Sequence, residues 1–480
     1  MNNPNQTTMH TRRDFIGIGG HGLGALALGS LLSSNNANAS DPASRSQSLR
    51  SIIPKAKSVI WLVMNGGQSQ VDTWDYKTEL AKSHGKKLEG LDKEVGFFPE
   101  KVGTLMRSPF AFNQHGKCGK WVSEIFPHTA RHVDEIAFVH SCQSKSNNHS
   151  PALFTLNTGV SRMGYPCAGS WVNFGLGSAN NNLPSFVVMT DPLGRGLPKG
   201  QAQNWGAGFL PGSLQGTLLN NQGQAINDLS RNRKISARQQ RRQLAFINSL
   251  NRQHQEAHPA ITDLEARIQS YELAYRMQTA APEVFDFQSE QQSTKDLYGV
   301  DDKRCQHFGR QCLIARRLVE RGVRFVQLYS GGTENQKSWD GHADIEGNHR
   351  GFAAETDQPI AALLTDLKRR GLLDETLVVC GGEFGRLPIA QTESKPGRDH
   401  NPNAFTTWLA GGGIKGGVSH GETDELGLEA AVDQVSIHDL HATILHQLGI
   451  DHQQLTYNIN GLETRLTGVE SAHAIDAIIS

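Results

Sequence analysis

Short, nearly continuous apolar runs recur along this chain and alternate with longer stretches in which apolar residues follow helical spacing. Continuous apolar runs of four to eight residues are typical of strands that are buried on both faces of a parallel sheet. Six runs are therefore predicted to be strands: 58–64, 136–140, 185–189, 324–329, 377–380 and 404–409.

Amphipathic stretches near these runs predict helices at about 124–133, 308–321, 349–370 and 439–448. Alternation of strands and helices favours an α/β fold with a mostly parallel central sheet and helices on both faces. In such folds, ligands bind where loops leave the carboxyl ends of the strands. The candidate chemistry is therefore sought in those loops.

Residues 213–300 have a different composition. They are rich in Gln, Asn and Arg, with apolar residues at helical spacing and no strand-like run. We predict a helical excursion inserted into the main domain, placed as a cap or lid. The basic cluster at 231–242 is interpreted as a solvated helix face and not as a nucleic-acid site.

The N-terminal segment has the organisation of an export signal. Arg12 and Arg13 stand side by side, an apolar stretch covers 16–32, and Ala37 and Ala39 form a small-x-small cleavage site. This order predicts a twin-arginine (Tat) signal peptide over residues 1–39. A linker at 40–56 and one large domain at 57–480 would follow. The expected partner is then the Tat export machinery, and the expected location is periplasmic or secreted.

A retained N-terminal anchor is the alternative to a cleaved signal. The apolar stretch contains His21 and five glycines and falls at or below the ~20 apolar residues that a membrane-spanning helix needs. No second apolar run reaches that length. The mature form is therefore predicted not to span a membrane.

Charge and cysteine content narrow the function further. The chain has 47 Lys and Arg against 47 Asp and Glu, with no long block of one sign, which argues against a nucleic-acid partner. The six cysteines form no CxxC pair and predict no specific disulfide. Cys380 ends an apolar run and is expected to be buried.

Polar residues are concentrated after four predicted strands. Carboxylates and imidazoles bind divalent metal ions, and arginine binds phosphate or sulfate, so these loops predict a metal and anion site. The residues, in chain order, are Asn65, Ser69, Asp72 and Asp75; Asn148, His149 and Ser150; Asp340, His342 and His349; and Glu383, Arg386, Arg398, Asp399 and His400.

Each loop also has a purely structural interpretation. Asp340 can cap a turn while His342 lies at a wet surface, and the segment GGEFGR can be a glycine turn with an exposed Glu-Arg pair. His349, at a helix start, is interpreted as a surface residue. The joint placement of the loops at strand ends favours a site over these alternatives.

Several segments resemble one bacterial family. MNGGQSQVDTWD, NHSPALFTLNTG, WDGH, GGEFGR, RDHNP and LAGGGIKGG are similar to the family called domain of unknown function 1501, from about Pro54 to the C-terminus. That family is itself similar to the alkaline phosphatase and sulfatase superfamily. The resemblance implies an alkaline-phosphatase-like fold.

The superfamily resemblance also implies roles for individual residues. NHSPALFTLNTG resembles the sulfatase nucleophile loop, in which Pro151 and Thr158-Gly159 keep the spacing. His149 then takes the nucleophile position, and Ser150 supplies the adjacent hydroxyl. The other matched positions are Glu383 for the acid of an Asp-His pair, His400 for a later His ligand, Asp340 and His342 for a further ligand pair, and Asp72 as a substitute for the acid expected at Asn65.

This resemblance implies an exported, metal-dependent hydrolase of phosphate or sulfate esters. The cofactor would be a divalent metal (Zn, Ca, Mg or Mn), and the substrate a small anionic ester or a sulfated or phosphorylated glycan. His149 and Ser150 are the catalytic candidates. The alternative role for either residue is that of a further metal ligand. The metal candidates are Asp72, Asp340, His342, Glu383 and His400, and the substrate-binding candidates are Asn148, Arg386 and Arg398.

A rival function comes from a different class. In this hypothesis the fold is kept but the pocket is degenerate, and the protein binds an anionic glycan or a surface partner without catalysis. The replacement of the usual nucleophile by His149 motivates the hypothesis. A metal-dependent transferase acting on phosphoethanolamine-type groups is a third possibility within the same superfamily.

Overall fold

The computed structural model describes residues 52–90, 95–220, 235–257, 263–391 and 394–480. The predicted signal peptide, residues 40–51 of the predicted linker and residues 231–234 of the basic cluster lie outside the described residues. Within the described ranges, no helix has the length and apolar character needed to cross a bilayer.

The secondary-structure elements follow in chain order. The strands are β1 Ser58–Met64, β2 Val102–Leu105, β3 Phe112–His115, β4 Lys120–Ser123, β5 Ile136–Gln143, β6 Phe186–Met189, β7 Thr217–Leu219, β8 Phe325–Ser330, β9 Thr376–Gly381, β10 Gly385–Gln391, β11 Arg398–Asn401, β12 Phe405–Ala410, β13 Val418–His420, β14 Glu422–Thr423, β15 Ala430–Val432, β16 Val435–Ser436, β17 Tyr457–Ile459 and β18 Leu462–Thr464. The α-helices are α1 Gln70–Thr73, α2 Thr78–Lys82, α3 His149–Thr158, α4 Ala168–Leu176, α5 Ala237–Ala257, α6 Asp263–Phe285, α7 Gln292–Tyr298, α8 Gln306–Glu320, α9 Ile345–Arg369 and α10 Ile437–Gln447.

A mostly parallel sheet forms the centre of the described fold. Its strands follow the order β13-β5-β12-β9-β1-β8-β6-β7, and β16 also pairs with β5. β1 pairs in parallel with both β8 and β9, whereas β12 is antiparallel to its two neighbours β5 and β9. The predicted α/β class with a mostly parallel sheet is therefore confirmed.

Helices cover both faces of this sheet because successive side chains of each strand point to opposite sides. Ile60, Leu62 and Met64 of β1 pack in one core cluster with α8 and α9. Val59, Trp61 and Val63 alternate with them and pack in a second cluster with α3, α4 and α10. The continuous apolar run of β1 thus reflects burial on both faces, as the pattern predicted.

Two predicted features differ from the structure. The segment predicted as a helix at 124–133 has only a 3₁₀ turn at Thr129–Glu135, because Pro127 restricts the residue before it and lacks an N–H donor. The 213–300 excursion is largely helical, with α5, α6 and α7, but it also contains β7. β7 extends the central sheet by pairing in parallel with β6, through Val187 and Thr217.

The topology brings four chain segments to one edge of the sheet. The carboxyl ends of β1, β5, β8 and β9 meet at this edge because these strands run in the same direction. β12 runs the opposite way, so its beginning, directly after β11, lies at the same edge. β11 belongs to a small three-stranded sheet with β10 and β2, which carries His400 to that edge.

Candidate metal centre

His149 enters the site as the first residue of α3, immediately after the loop that leaves β5. The side chain of Asn148 caps this helix, since its Oδ1 accepts a hydrogen bond of 3.2 Å from the Ser150 N–H. The His149 side chain is buried at the sheet edge. Its Nδ1 lies 2.8 Å from Oε1 of Glu383, which follows β9.

Asp340 and His342 lie in the loop after β8. The buried Trp339 anchors this loop through a 2.9 Å hydrogen bond from its backbone N–H to the carbonyl of Asn65. The chain at Gly397 passes so close to the loop that a Cβ there would lie 2.0 Å from the carbonyl carbon of His342. Only glycine allows this approach, which brings β11 and His400 against His342.

Three imidazoles converge on the carboxylate of Asp340. Nε2 of His342 lies 3.0 Å from Asp340 Oδ1, and Nε2 of His400 lies 3.2 Å from the same oxygen. Nε2 of His149 lies 3.2 Å from Asp340 Oδ2. The two nitrogens His342 Nε2 and His400 Nε2 are 2.9 Å apart. Ligand atoms around a tetrahedral zinc ion are separated by about 3.3 Å for Zn–N distances of about 2.0–2.1 Å, so these separations match a metal site.

Each imidazole has an acceptor at its other nitrogen. Nδ1 of His149 faces Glu383 Oε1, Nδ1 of His342 lies 3.0 Å from Gln391 Oε1, and Nδ1 of His400 faces the carbonyl oxygen of Asn147. Since all three partners accept hydrogen bonds, Nδ1 carries the proton in each neutral ring. Nε2 is left with its lone pair facing the cluster, which is the arrangement found in metal-ligating histidines.

Asp340 is held in place by groups outside the cluster. Arg386 donates from Nη2 to Asp340 Oδ1 at 2.7 Å, and the backbone N–H of Asn335 donates to Oδ2. Burial alone raises the pKa of the Asp340 carboxyl, but the Arg386 charge and hydrogen bonds from the three histidines hold the pKa well below its usual range. Asp340 is therefore ionised, as a metal ligand must be.

Protein groups alone leave several polar atoms of the cluster poorly satisfied. Two bare Nε2 lone pairs at 2.9 Å repel each other unless a proton or a cation lies between them. Burial and the His149 charge keep the pKa of His400 well below its usual range. Nε2 of His149 is buried, and the group that it faces is Asp340 Oδ2 at 3.2 Å. The residues present therefore fit a bound divalent ion: the ligand atoms of His149, Asp340 and His400 lie within 4.8 Å of one another, and His342 Nε2 lies 2.9 Å from His400 Nε2.

The electrostatics of His149 also suit a cation at this place. Burial by itself lowers the pKa of its imidazole, but the carboxylates of Asp340 and Glu383 outweigh burial and raise the pKa to about 9. Without a metal ion, the site thus holds a protonated imidazole between two carboxylates. A divalent cation would take over this role and release the proton.

Glu383 is fully buried and acts on the cluster through His149. Its two carboxylate oxygens accept hydrogen bonds of 3.0 and 3.2 Å from the Gly66 N–H. Gly66 needs φ +103° here, and a Cβ on it would lie 2.6 Å from Ser338 Oγ. The predicted ligand Glu383 is thus placed as the partner that orients His149.

Asp72 and Arg398 are not brought to the cluster as predicted. Nε and Nη2 of Arg398 donate to the two Asp72 oxygens at 2.7 and 3.1 Å, and Ser69 Oγ donates to Asp72 at 2.6 Å. Arg398 also donates to backbone carbonyls, including that of Met106 at 3.0 Å. Both charged groups are fully buried, so this pair braces the loops around the site.

Arg386 also makes most of its hydrogen bonds to protein groups. Its guanidinium donates to the carbonyls of Gly66, Gly67 and Arg398 in addition to Asp340. Arg386 and Glu383 are both completely buried, so the alternative of an exposed Glu-Arg pair on a glycine turn is wrong. Four of the five N–H donors of Arg386 are engaged in this way, and its side chain is fully buried, so the predicted anion contact by Arg386 is disfavoured.

His349 corrects another expectation. The sequence pattern favoured a surface position, but the residue is fully buried within α9. Its Nε2 accepts a 2.9 Å hydrogen bond from the Ser69 N–H, and burial lowers the pKa of the ring to about 3. His349 is therefore a neutral core residue that fixes the turn between β1 and α1.

Sequence reasoning missed the groups that surround the imidazoles. Gln391 ends β10 and gave no signal, because a single amide at a strand end has many possible roles. Phe98 packs edge-on against the ring of His342, with centroids 5.0 Å apart, and Phe384 lies 4.5 Å from the ring of His400. Asp399 Oδ2 accepts a 2.7 Å hydrogen bond from the Phe98 N–H and so holds this aromatic cover in place.

Fold and site together define a mixed α/β protein with a buried cluster of three histidines and one aspartate at the carboxyl edge of its sheet. The chain belongs to the family described as "Protein of unknown function (DUF1501)", whose match covers residues 56–479. The predicted family is therefore confirmed. A search of curated proteins found no match.

Solved structures with similar folds include sulfatases and phosphatases. The PsFucS1 sulfatase from Pseudoalteromonas sp. is 10% identical, with a TM-score of 0.34, over 85% of this chain and 71% of that one. The alkaline phosphatase from the Antarctic bacterium TAB5 is 10% identical, with a TM-score of 0.31, over 78% and 96%. The phosphonate monoester hydrolase of Silicibacter pomeroyi is 11% identical, with a TM-score of 0.35, over 82% and 73%. At these identities and TM-scores, the similarity assigns no activity and no residue role to this chain.

Proposed function

We propose that this chain is an exported, metal-dependent hydrolase of phosphate or sulfate esters. The supporting observation is the convergence of three imidazole Nε2 atoms on the Asp340 carboxylate, each imidazole being held at Nδ1 by a hydrogen-bond acceptor. Buried groups of one chain rarely adopt this arrangement without a cation, because bare lone pairs and unpaired nitrogens are costly to bury.

The ligand set favours zinc among the four candidate metals. Three imidazole nitrogens and one carboxylate suit Zn²⁺, whereas Ca²⁺ and Mg²⁺ prefer all-oxygen sites with six or more ligands. His149, His342, His400 and Asp340 would hold the ion. Such an ion supplies Lewis acidity toward an ester oxygen and lowers the pKa of a bound water.

The residues of the chain position and neutralise charge in this proposal. Glu383 keeps the Nδ1 proton of His149 and so directs its Nε2 inward. Arg386 fixes Asp340 through a 2.7 Å ion pair. Nε2 of His149 faces the Asp340 carboxylate inside the cluster, where its lone pair would bind the metal ion, so we assign His149 as a ligand and not as a nucleophile.

Ser150 lacks the activation that a serine nucleophile needs. Within the described part of the chain, its hydroxyl has no hydrogen-bonding base, whereas a serine nucleophile requires a base within about 3 Å. We therefore propose that water is the attacking group. The substrate would be a small anionic ester or a sulfated or phosphorylated glycan.

The depth of the cluster favours one alternative, a non-catalytic protein that keeps the fold and binds an anion or glycan. The side chains of His149, Asp340 and His400 are 8%, 2% and 2% exposed, and His342 is 16% exposed. Structural zinc sites are closed in this way, while catalytic sites keep an open position. Turnover measurements must therefore accompany metal analysis.

The test combines elemental analysis of the purified chain with a panel of chromogenic phosphate and sulfate esters. The expected result is about one zinc per chain and turnover of at least one ester. His149→Ala should lose both metal and turnover, whereas the adjacent Ser150→Ala should keep both. A folded chain with no bound metal would refute the metal centre, and loss of turnover with retained metal in Ser150→Ala would make Ser150 the nucleophile.

Export is tested separately. Replacement of Arg12 and Arg13 by lysine should keep the charge but retain the precursor in the cytoplasm, since the Tat route requires the arginine pair. Fractionation of cells that express the unchanged and doubly substituted chains measures this directly. Equal export of both would exclude the Tat route.

A further inference from the structure

A cavity lies away from the histidine cluster, between the β3–β4 hairpin and the edge strand β13. It has a volume of about 210 Å³, enough for a small ligand but below the ~300–1,000 Å³ that is usual for drug-sized sites. None of the residues that line it belongs to the three-histidine cluster. The lining residues with side chains include Cys118, Lys120, Trp121, Phe138, Val418 and Ser419.

One wall of this cavity carries the amine of Lys120. Its Nζ lies 4.6 Å from the ring centre of Phe138 and 3.4 Å from Ser419 Oγ. Phe138 and Ser419 are register partners in the pairing of β5 with β13, so the two contacts are fixed by the sheet. Lys120 Nζ also forms a short hydrogen bond with Nε2 of His140.

The charge of Lys120 has no counter-ion in the described part of the chain. No carboxylate there lies within ion-pair distance of its Nζ, and Asp75, whose charge acts on Lys120 from farther away, already pairs with other groups. One Asp75 oxygen lies 3.1 Å from Lys77 Nζ, and the other accepts a hydrogen bond from Thr423. His140 supplies no negative charge: burial and the Lys120 charge keep the pKa of its imidazole well below the usual range, so it accepts the hydrogen bond as a neutral ring.

This environment makes the amine a cation that remains charged at neutral pH but is poorly solvated. Burial lowers the pKa of Lys120 to about 8, with Asp75 and Cys118 raising it and Lys77 lowering it further. An anion placed in the cavity would supply the missing opposite charge. The cavity offers one ammonium group, of Lys120, and one hydroxyl group, of Ser419. It therefore suits a ligand with one negative charge better than a ligand with two.

Two apolar side chains also line the cavity. Trp121 on β4 is 40% exposed, an unusual amount for a residue of this size, and Val418 on β13 is half-buried. A flat apolar group would cover this surface and be stabilised by its burial. The cavity thus combines a contact for one negatively charged group, at Lys120, with apolar surface for the rest of a ligand.

We propose that this cavity binds a small monocarboxylate with a flat apolar body. The carboxylate contacts Lys120 Nζ and Ser419 Oγ, and the apolar part packs between Trp121 and Val418. This site is separate from the metal centre and does not depend on the proposed hydrolase activity.

Isothermal titration of the full chain with benzoate tests the proposal. We expect a dissociation constant of about 1 mM or lower at pH 7, and binding at least about tenfold weaker for neutral benzamide. Lys120→Met should weaken benzoate binding by about tenfold or more. Lys117→Met is the matched control, because Lys117 lies on the same hairpin with an exposed side chain, and it should bind benzoate as the unchanged chain does.

The following results would contradict the proposed carboxylate site. Absence of benzoate binding at about 10 mM, or equal binding by benzamide, overturns the proposal. Retained binding in Lys120→Met overturns the role of the amine. If Lys120→Met fails to fold, as judged by circular dichroism, the pH dependence decides: benzoate affinity of the unchanged chain should fall as the pH rises above about 8, and a constant affinity would refute the site.

Discussion

The buried pair of Asp72 and Arg398 offers a sharp test of how the loops around the site are held. Asp72→Asn keeps the shape and one acceptor oxygen but removes the charge that Arg398 faces through two hydrogen bonds of 2.7 and 3.1 Å. Both side chains are 0% exposed, so the guanidinium would remain buried without a counter-ion. Breaking one partner of such a pair costs about 3–5 kcal/mol in the free energy of unfolding.

Denaturant unfolding at pH 7, followed by circular dichroism, measures this loss. Lys395→Met is the matched control, since Lys395 pairs with Asp344 across 3.1 Å but is 72% exposed. Its loss should be below about 1 kcal/mol. Metal content per folded chain should be unchanged in Asp72→Asn, because Asp72 bonds Arg398 and Ser69 and does not face the imidazoles.

The pH dependence of this difference follows from the ionisation of Asp72. Burial raises the pKa of its carboxyl, but the Arg398 charge and hydrogen bond hold the net pKa below the usual value of 3.8. The pair therefore contributes its stability above about pH 4, and the contribution is lost as the pH falls through the lowered pKa. The stability gap between the unchanged chain and Asp72→Asn should narrow below pH 4. A gap below about 1 kcal/mol at pH 7, or loss of bound metal at full folding, would refute the bracing role.

Three further predictions concern the site. Gly397→Ala should weaken metal binding in a direct titration, because its Cβ would lie 2.0 Å from the His342 carbonyl carbon; Gly351→Ala, with nothing within 4 Å, should bind metal normally. Asn148→Ala should cost about 1 kcal/mol of unfolding free energy through loss of the helix cap, and unchanged ester affinity would show that Asn148 does not bind substrate. Removal of metal by a chelator should lower thermal stability, with restoration by zinc of about 4 kcal/mol at a free concentration 1,000 times the dissociation constant; identical melting of both forms would argue against a bound ion.

The strands and the sheet type could be predicted from the sequence because they depend on local pattern. Burial on both faces demands continuous apolar runs, and β1, β8 and β9 carry them. The helix predicted at 124–133 failed because Pro127 overrides apolar spacing, and β7 was missed because a three-residue edge strand has too short a pattern.

Candidate site residues could be found in the same way, because strand-end loops that bear His, Asp and Glu are uncommon in a purely structural role. The sequence brought His149, Asp340, His342 and His400 into one list with Asp72, Glu383 and two arginines. It could not separate ligands from the groups that hold them, since both functions require the same charged side chains.

Only the tertiary structure decided this division. Register and close backbone approach, such as that at Gly397, determine which atoms meet. The contact of His149 with Glu383 joins residues that are 234 positions apart. The Nε2 atoms face Asp340 because Nδ1 of each ring meets an acceptor from a distant segment, either Glu383, Gln391 or the Asn147 carbonyl. The sequence by itself thus determined the α/β framework and the residues available for chemistry, and long-range packing determined which of them form the centre, because hydrogen-bond direction depends on three-dimensional position and not on spacing along the chain.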